Sequence, residues 1–520
     1  MTETALKTSR WTTCRTLAAA WLIVGCCAAP AAAQFRVMGP VAFGGAYDQP
    51  FVELTMLDNG RELGPTAQRK TFLLDTGANG ILAVGGAASD LASQGNFNVG
   101  TFDEIGVGGA TTYRVSAPYT AKIDGTNSIT LDNVRILSDP LTNFGEQVPF
   151  EGIVGMPAMV NRVTSLDMSA TSGGGSLDGV DLTDIDALIA ALSNSFSGIG
   201  VSFHDSVPAS NGHRVGVPVR ALHFDSEQGG PNPSYAPLAV TTAEMYANCQ
   251  TASKDNYIID TGAQLSFISL DVVRSLGLNP DEPFGQLTIA GVGGTRTVPT
   301  FLIDELRVPT TDGSDLVWYG AEVVGLDLDP SIDGVIGSDL LTAGMIEVDF
   351  SAINLDDMFK IGQGPIRNVH FDFRDLDRPA QDGVGTMYLD LSEQADTLIV
   401  PGDANMDGKV TQADLNVLLG NWGQAFPKQI DDQVFFGQEV ADFNYDCHVD
   451  ITDLTMMAQY WQHGTGLSAA PLNVEAVLAT IPEPSTAWLG LAGMVSLIWG
   501  QRRCARHRAN GGRRGYNLST

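Results

Sequence analysis

Residues 71–78 and 256–263 constrain this chain more than any other feature. In each, an apolar run enters the same four residues, Asp-Thr-Gly-Ala, with Asp75 and Asp260 lying 185 positions apart. The apolar run reads as a strand, and the glycine, Gly77 or Gly262, lets another backbone approach closely. One Asp-Thr-Gly is a chance event, but the agreement continues. Gly106-Val107-Gly108-Gly109 returns as Gly291-Val292-Gly293-Gly294 at the same offset, and Glu151-Gly152-Ile153-Val154-Gly155 returns as Asp333-Gly334-Val335-Ile336-Gly337. Three landmarks in the same order mark a duplicated lobe. The fold therefore has to place two copies of one unit around a pair of acidic loops.

Around these landmarks the texture is β-rich: short alternating runs such as 51–56 and 129–137, punctuated by Gly, Asp and Asn. A compact helix is expected over 269–278, closed by Gly277, with residues 87–94 at the matching place in the first copy. The order of strand, Asp-Thr-Gly, glycine-rich hairpin, then two apolar residues and Gly resembles the aspartic peptidases, twice over, across residues 35–370. Two lobes in one chain resemble the pepsin-type layout. Ala78, Ala263 and the Gly-Gly hairpins are closer to the retropepsin-type lobe. The resemblance implies a mainly β, bilobal fold of double-ψ β-barrel lobes, with Asp75 and Asp260 catalytic and Thr76, Gly77, Thr261 and Gly262 bracing their loops. It places Gly108, Gly109, Gly293 and Gly294 in flaps. Tyr113 and Tyr119 sit in no recognisable flap motif, and a Tyr in an alternating strand is more often a cross-strand packing partner, so both stay outside the site.

The chemistry explains the need for two lobes. Two carboxylates about 3 Å apart cannot both ionise comfortably and so share one proton. One acts as base toward a bound water while the other, protonated, hydrogen-bonds the scissile carbonyl. No cofactor is needed for this step. Ala78 and Ala263 stand where pepsin-type enzymes often carry a hydroxyl that stabilises the ionised form, so a mildly acidic to neutral working range is expected rather than a strongly acidic one.

The chain has 520 residues, 44% of them hydrophobic, and a formal charge of −31. It is globular in character, and its length allows about three domains. The acidic body repels nucleic acid and suits an external medium or calcium. Residues 1–33 read as an export signal, with basic residues to Arg15, an apolar run over 17–29, and alanines before Gln34. Cleavage after Ala33 is the main reading. Ile23-Val24-Gly25-Cys26 also resembles a bacterial lipobox, which would instead attach lipid to Cys26. Of six cysteines only Cys249 and Cys447 lie outside the signal and the tail, and in separate domains, so no disulfide framework is expected. Residues 171–197 form a glycine-rich acidic insertion, read as a solvated linker with a short helix.

A second duplication begins near Gly402. Asp403, Asn405, Asp407, Lys409, Thr411 and Asp414 occupy positions 1, 3, 5, 7, 9 and 12 of a calcium loop, with Gly408 at the tight turn and Lys409 offering its carbonyl. The pattern recurs 39 residues later as Asp442, Asn444, Asp446, His448, Asp450 and Asp453, with Cys447 replacing the turn glycine. A helix follows each loop, over 415–422 and 454–461. Loops that end in Asp, each followed by a helix, resemble dockerin modules, a small α-helical calcium-binding fold. That resemblance implies bound Ca2+ and a cohesin-type protein partner.

Near the C-terminus, Pro482-Glu483-Pro484, an apolar stretch over 487–500 and then Arg502, Arg503, Arg506 and Arg508 resemble a PEP-CTERM sorting tail with a short membrane segment, read by sorting machinery at the envelope. The expected organisation is signal 1–33, first lobe 34–197, second lobe 198–370, connector 371–398, dockerin-like module 399–465, linker 466–481 and sorting tail 482–520. The leading reading is an exported, surface-associated aspartic endopeptidase acting on a peptide or protein substrate. The alternatives are an inactive peptidase-like scaffold or binding protein of the envelope, and an accessory component of polysaccharide breakdown acting through its dockerin.

Overall fold

The structure is a computed structural model. It describes residues 34–41, 49–139, 141, 150–168, 198–210, 212–223, 232–343, 346–348, 359–361, 364–378, 383–426, 437–467 and 471–481. The expected signal, the 171–197 insertion and the sorting tail lie outside the described residues. Among the described residues no helix is long and apolar enough to cross a membrane.

The fold is mainly β. A 10-stranded sheet spans Phe51–Asp58 to Gly152–Val154, and a 13-stranded sheet holds most of the second half of the chain. Both share one apolar core, to which the alternating runs contribute their inward residues, such as Val52, Leu54 and Met56 from one strand. A satellite core of Leu82, Val84, Phe102, Tyr113, Val115, Leu137 and Ile153 lies under the first-lobe hairpin. Tyr113 is fully buried there, opposite Phe102 on the neighbouring strand, so it is a packing residue. The helices after the two acidic loops are Gly85–Gln94 and Leu270–Ser275. The second is capped by Ser269, whose hydroxyl accepts from Val272 N at 3.3 Å.

The sheets cross the expected boundaries. The first strand, Phe35–Pro40, pairs in parallel with Asp315–Gly325 of the second lobe, not with its own lobe. Val163–Asp167, late in the first lobe, lies between Gly200–His204 and Ile366–Asp372. Within the expected connector, Val384–Leu391 is a full strand between Arg214–Leu222 and Ile366–Asp372. These long-range pairings knit the halves together at their shared base.

Residues 400–457 build a core of their own from Val400, Val410, Leu415, Leu418, Phe443, Val449, Leu454 and Met457. Its helices, Gln412–Asn421 and Ile451–Gln459, each begin with a capping box, Thr411 with Asp414 and Asp450 with Asp453. They therefore start three residues earlier than the apolar pattern alone suggests.

The absence of a disulfide is corrected by the structure. Cys249 and Cys447, 198 residues apart, are bonded, with Cα atoms 5.5 Å apart. Cys249 is at the turn between Leu238–Ala247 and Gln250–Ile259, and Cys447 is at the sixth position of the second acidic loop. Cys447 adopts φ +64°, the conformation a glycine would favour there. The departure from glycine thus supplies a covalent tie between the small core and the second lobe. Alongside it, the Arg307 guanidinium lies 4.9 Å from the Tyr246 ring centroid and 4.8 Å from that of Tyr445, one ring from each side of the junction.

Candidate active site

The acidic loops are placed by strand order. Thr71–Leu74 runs parallel to Gly152–Val154, which is antiparallel to Ile81–Val84 on its other side. The chain leaves the first of these strands at Asp75, whose N–H donates to Val154 O at 3.0 Å, and passes under Met156, whose N–H donates to Ala78 O at 2.8 Å. The second lobe repeats this. Gln250–Ile259 runs parallel to Gly334–Ile336, Asp260 N–H donates to Ile336 O at 2.9 Å, and Ser338 N–H donates to Ala263 O at 2.8 Å. The Gly-apolar-apolar-Gly segment seen twice in the sequence is therefore the strand that closes each acidic loop.

The loops meet through a crossed set of hydrogen bonds. Thr76 Oγ1 donates to Ile259 O and Thr261 Oγ1 donates to Leu74 O, both at 2.7 Å. Each hydroxyl also accepts the other threonine's backbone N–H, at 3.1 Å for Thr76 N and 3.0 Å for Thr261 N. Both threonines are fully buried, so these bonds have no water to replace them.

This grip sets the carboxyls face to face. Gly77 N–H donates to Asp75 Oδ1 and Gly262 N–H to Asp260 Oδ1, each at 2.7 Å, and Ala263 N–H adds a second bond to Asp260 Oδ1 at 3.0 Å. A Cβ on Gly77 would stand 2.3 Å from Asp260 Cγ, and one on Gly262 would stand 2.4 Å from Asp75 Cγ. Any side chain at either glycine would displace the opposite carboxyl. Burial, then the neighbouring charge of Asp260, holds Asp75 well above the usual carboxylate range. Burial also raises Asp260, which is held back by the hydrogen bond from Asp75 and by backbone N–H groups. Both carboxyls are thus raised by burial, and the pair titrates as one coupled unit that can share a proton.

Above the dyad the hairpin tips touch. The first hairpin joins Gly100–Gly106 to Gly109–Val115, and the second joins Gly285–Gly291 to Gly294–Pro309. Gly108 N–H donates to Val292 O at 2.9 Å, and a Cβ on Gly108 would stand 2.3 Å from Gly293 C. Gly109 and Gly294 adopt φ values of +113° and +109°, which favour glycine. All four candidate flap glycines are thus at the two tips, and each lobe supplies one.

Sequence reasoning missed two supports. Asp339, fully buried, accepts Ser266 N–H at 3.0 Å and Ser266 Oγ–H at 2.8 Å beneath the second acidic loop, and burial pushes it up to about 6. The other is Tyr235, packed beside the first acidic loop. Neither belongs to the repeated pattern, so nothing in the duplication points to it.

Residues 251–340 match the aspartyl protease family. That span holds Asp260, Thr261, the second hairpin and the closing strand, the part of the chain just described as the second lobe's half of the site. Among solved structures, the chain is similar to the aspartic proteinase of Irpex lacteus, with 9% identity over 67% of this chain and 98% of that one and a TM-score of 0.32. No curated protein matches the chain in sequence.

The acidic loops of the small core form a second candidate site. Asp403, Asp414 and Asp453 are completely buried, and Asp442 nearly so. Burial, then the Asp414 charge, pushes Asp403 up to about 7, and burial with Asp453 does the same to Asp442. Asp453 is pushed up to about 6 by burial. Backbone N–H groups curl around the first position of each loop: Gly408 N to Asp403 Oδ2 and Cys447 N to Asp442 Oδ2, both at 2.8 Å. Among the described residues no three His, Cys, Asp or Glu side chains converge as a metal site by themselves. A hard cation in either loop would draw equally on neutral oxygens, from Asn405, Thr411 and the Lys409 carbonyl or from Asn444 and the His448 carbonyl. Carboxylates buried with their charge uncompensated fit that donor set.

Proposed function

We propose that this protein is an aspartic-type endopeptidase that hydrolyses peptide bonds through Asp75 and Asp260. The observation that carries the reading is the approach of each carboxyl to the opposite acidic loop across the crossed threonines, which sets the pair to share a proton. In the proposed step, whichever of Asp75 and Asp260 is ionised takes a proton from a water held between the two carboxyls, and that water attacks the scissile carbonyl. The other, protonated, donates a hydrogen bond to the carbonyl oxygen as negative charge develops there. The hairpin tips close over the bound chain and exclude bulk water. No covalent intermediate forms.

The accompanying module is proposed to be dockerin-like. Asp403, Asn405, Asp407, Lys409, Thr411 and Asp414 would hold one Ca2+, and Asp442, Asn444, Asp446, His448, Asp450 and Asp453 a second. Bound calcium would neutralise the buried carboxylates and stabilise the two helices, and a cohesin-type protein would be the partner. Export to the envelope agrees with the disulfide, a bond that persists in oxidising compartments.

The test uses the full chain with a library of unstructured peptides, with and without a statine-type inhibitor. Inhibitor-sensitive cleavage that disappears in both Asp75→Asn and Asp260→Asn supports the dyad. Cleavage that persists in either one removes it. For the module, chelation should lower the helical signal and calcium should restore it, and a signal indifferent to both removes calcium from the account.

A further inference from the structure

The duplication predicts that the two halves of the cleft should look alike, and at one place they do not. In the first lobe, Gly80 leaves a space beside the acidic loop, and Tyr235 fills it. A Cβ on Gly80 would stand 2.6 Å from Tyr235 Cε1. Tyr235 precedes the strand Leu238–Ala247 of the second lobe and reaches across to the first. Its ring meets Phe102 of the first hairpin edge-on at a centroid distance of 5.2 Å, and its hydroxyl donates to Glu104 on the same strand. The backbone on either side of Tyr235 is fixed. Ser234 N–H donates to Arg135 O and Ala236 N–H to Asn79 O, both at 2.9 Å, and Ser234 Oγ accepts Arg135 N–H at 3.0 Å. Tyr235 is therefore held in place between the first acidic loop and the first hairpin.

In the second lobe the residue aligned with Gly80 is Leu265, and the residue aligned with Phe102 is Leu287. Phe102 is opposite Tyr113 and Leu287 opposite Val298, so both face inward with a buried partner. Phe102 is 4% exposed under the tyrosine, whereas Leu287 is 38% exposed. Leu287, on the same face as the buried Val298, is thus left more open than its counterpart Phe102.

We infer that Tyr235 makes the cleft asymmetric: substrate side chains lying against Gly80 and Phe102 must be small, while the half bearing Leu287 accepts a large apolar side chain. The inference rests on the endopeptidase reading and adds its substrate class, a peptide with a small residue on one side of the scissile bond and a bulky apolar one on the other.

The experiment pairs cleavage of a peptide library with direct binding of statine-containing peptides in which one flanking position at a time is Gly, Val, Phe or Trp. Native protein should favour the small residue at one flank and the large one at the other. Tyr235→Ala should raise the preference for Phe or Trp at the restricted flank by about tenfold and leave the other flank unchanged. Tyr235→Phe, which keeps the ring, should retain the native profile. Should Tyr235→Ala fail to fold, Tyr235→Leu carries the same test with a smaller shift. An unaltered profile in the truncated variants, or a native profile equally tolerant at both flanks, overturns the inference. If no peptide is cleaved but statine peptides bind with the stated asymmetry, only the peptidase reading fails. If none bind to any form, both fail.

Discussion

The two lobes share the crossed threonine bonds and the glycine N–H to carboxyl bonds of their acidic loops and differ in what lies beneath. In the second lobe the loop rests on a polar brace: Asp339 accepts two bonds from Ser266, whose hydroxyl oxygen in turn accepts Gly337 N–H at 3.0 Å. At the aligned places the first lobe has Ile81 for Ser266 and Met156-Pro157 for Ser338-Asp339, an apolar support. The matched loops are held to one geometry by each other, because each threonine bonds the opposite strand. The Asp339–Ser266 brace bonds only within its own lobe and is free to diverge. Duplication thus preserves what the halves must present jointly.

The largest effect expected is at the carboxyls, and it should be equal from both sides. Asp75→Asn and Asp260→Asn should each lower peptide cleavage by about 10²–10⁴-fold. A variant that loses much less would make its lobe dispensable and break the equivalence. Activity should require one proton on the pair, so it should fall as pH rises through the pair's raised upper titration and fall again once both carboxyls are protonated. A rate profile peaking near about pH 2, as in pepsin, would contradict the raised titration.

Next come the threonines. Thr76→Val orphans the Ile259 carbonyl and the Thr261 N–H, and Thr261→Val orphans the Leu74 carbonyl and the Thr76 N–H. Each should cost roughly 2–4 kcal/mol in denaturant unfolding, and Thr→Ser at either position should recover most of it. Unequal costs for the two valine variants would show that the grip is not reciprocal.

The smallest effect separates the supports. Asp339 is raised from 3.8 to about 6, so the folded state binds its proton more tightly than the unfolded chain does. Its contribution is complete below about pH 4 and is lost as pH rises through about 6, a change on the order of 2–3 kcal/mol. Asp339→Asn should flatten that part of the stability curve. The first lobe has no titratable group at the aligned place, so Met156→Leu should leave the slope unaltered. If the slope survives Asp339→Asn, the brace is not its source.

Much of the candidate site was legible because its parts are local and repeated. Asp75, Thr76 and Gly77 are consecutive, their copies recur at a fixed offset, and the hairpin glycines follow in step. The fold class followed from the same strand texture. What stayed hidden depends on partners far along the chain. The strand Phe35–Pro40 reads as the start of the first lobe, yet its hydrogen bonds go to Asp315–Gly325. Val384–Leu391 reads as a connector because its pairing strands lie elsewhere. Cys447 reads as a defect in a calcium loop until Cys249 is seen beside it. Tyr235 had no signal at all: it sits in no motif, and only folding brings it to Gly80.

The meeting of the hairpin tips has a kinetic consequence. Because Gly108 hydrogen-bonds across to Val292 and lies against Gly293, moving either tip away would break a contact that belongs to both. Admission and escape of a bound chain would then share a single latch, and a bulky residue placed at one tip would change the dwell time set by both.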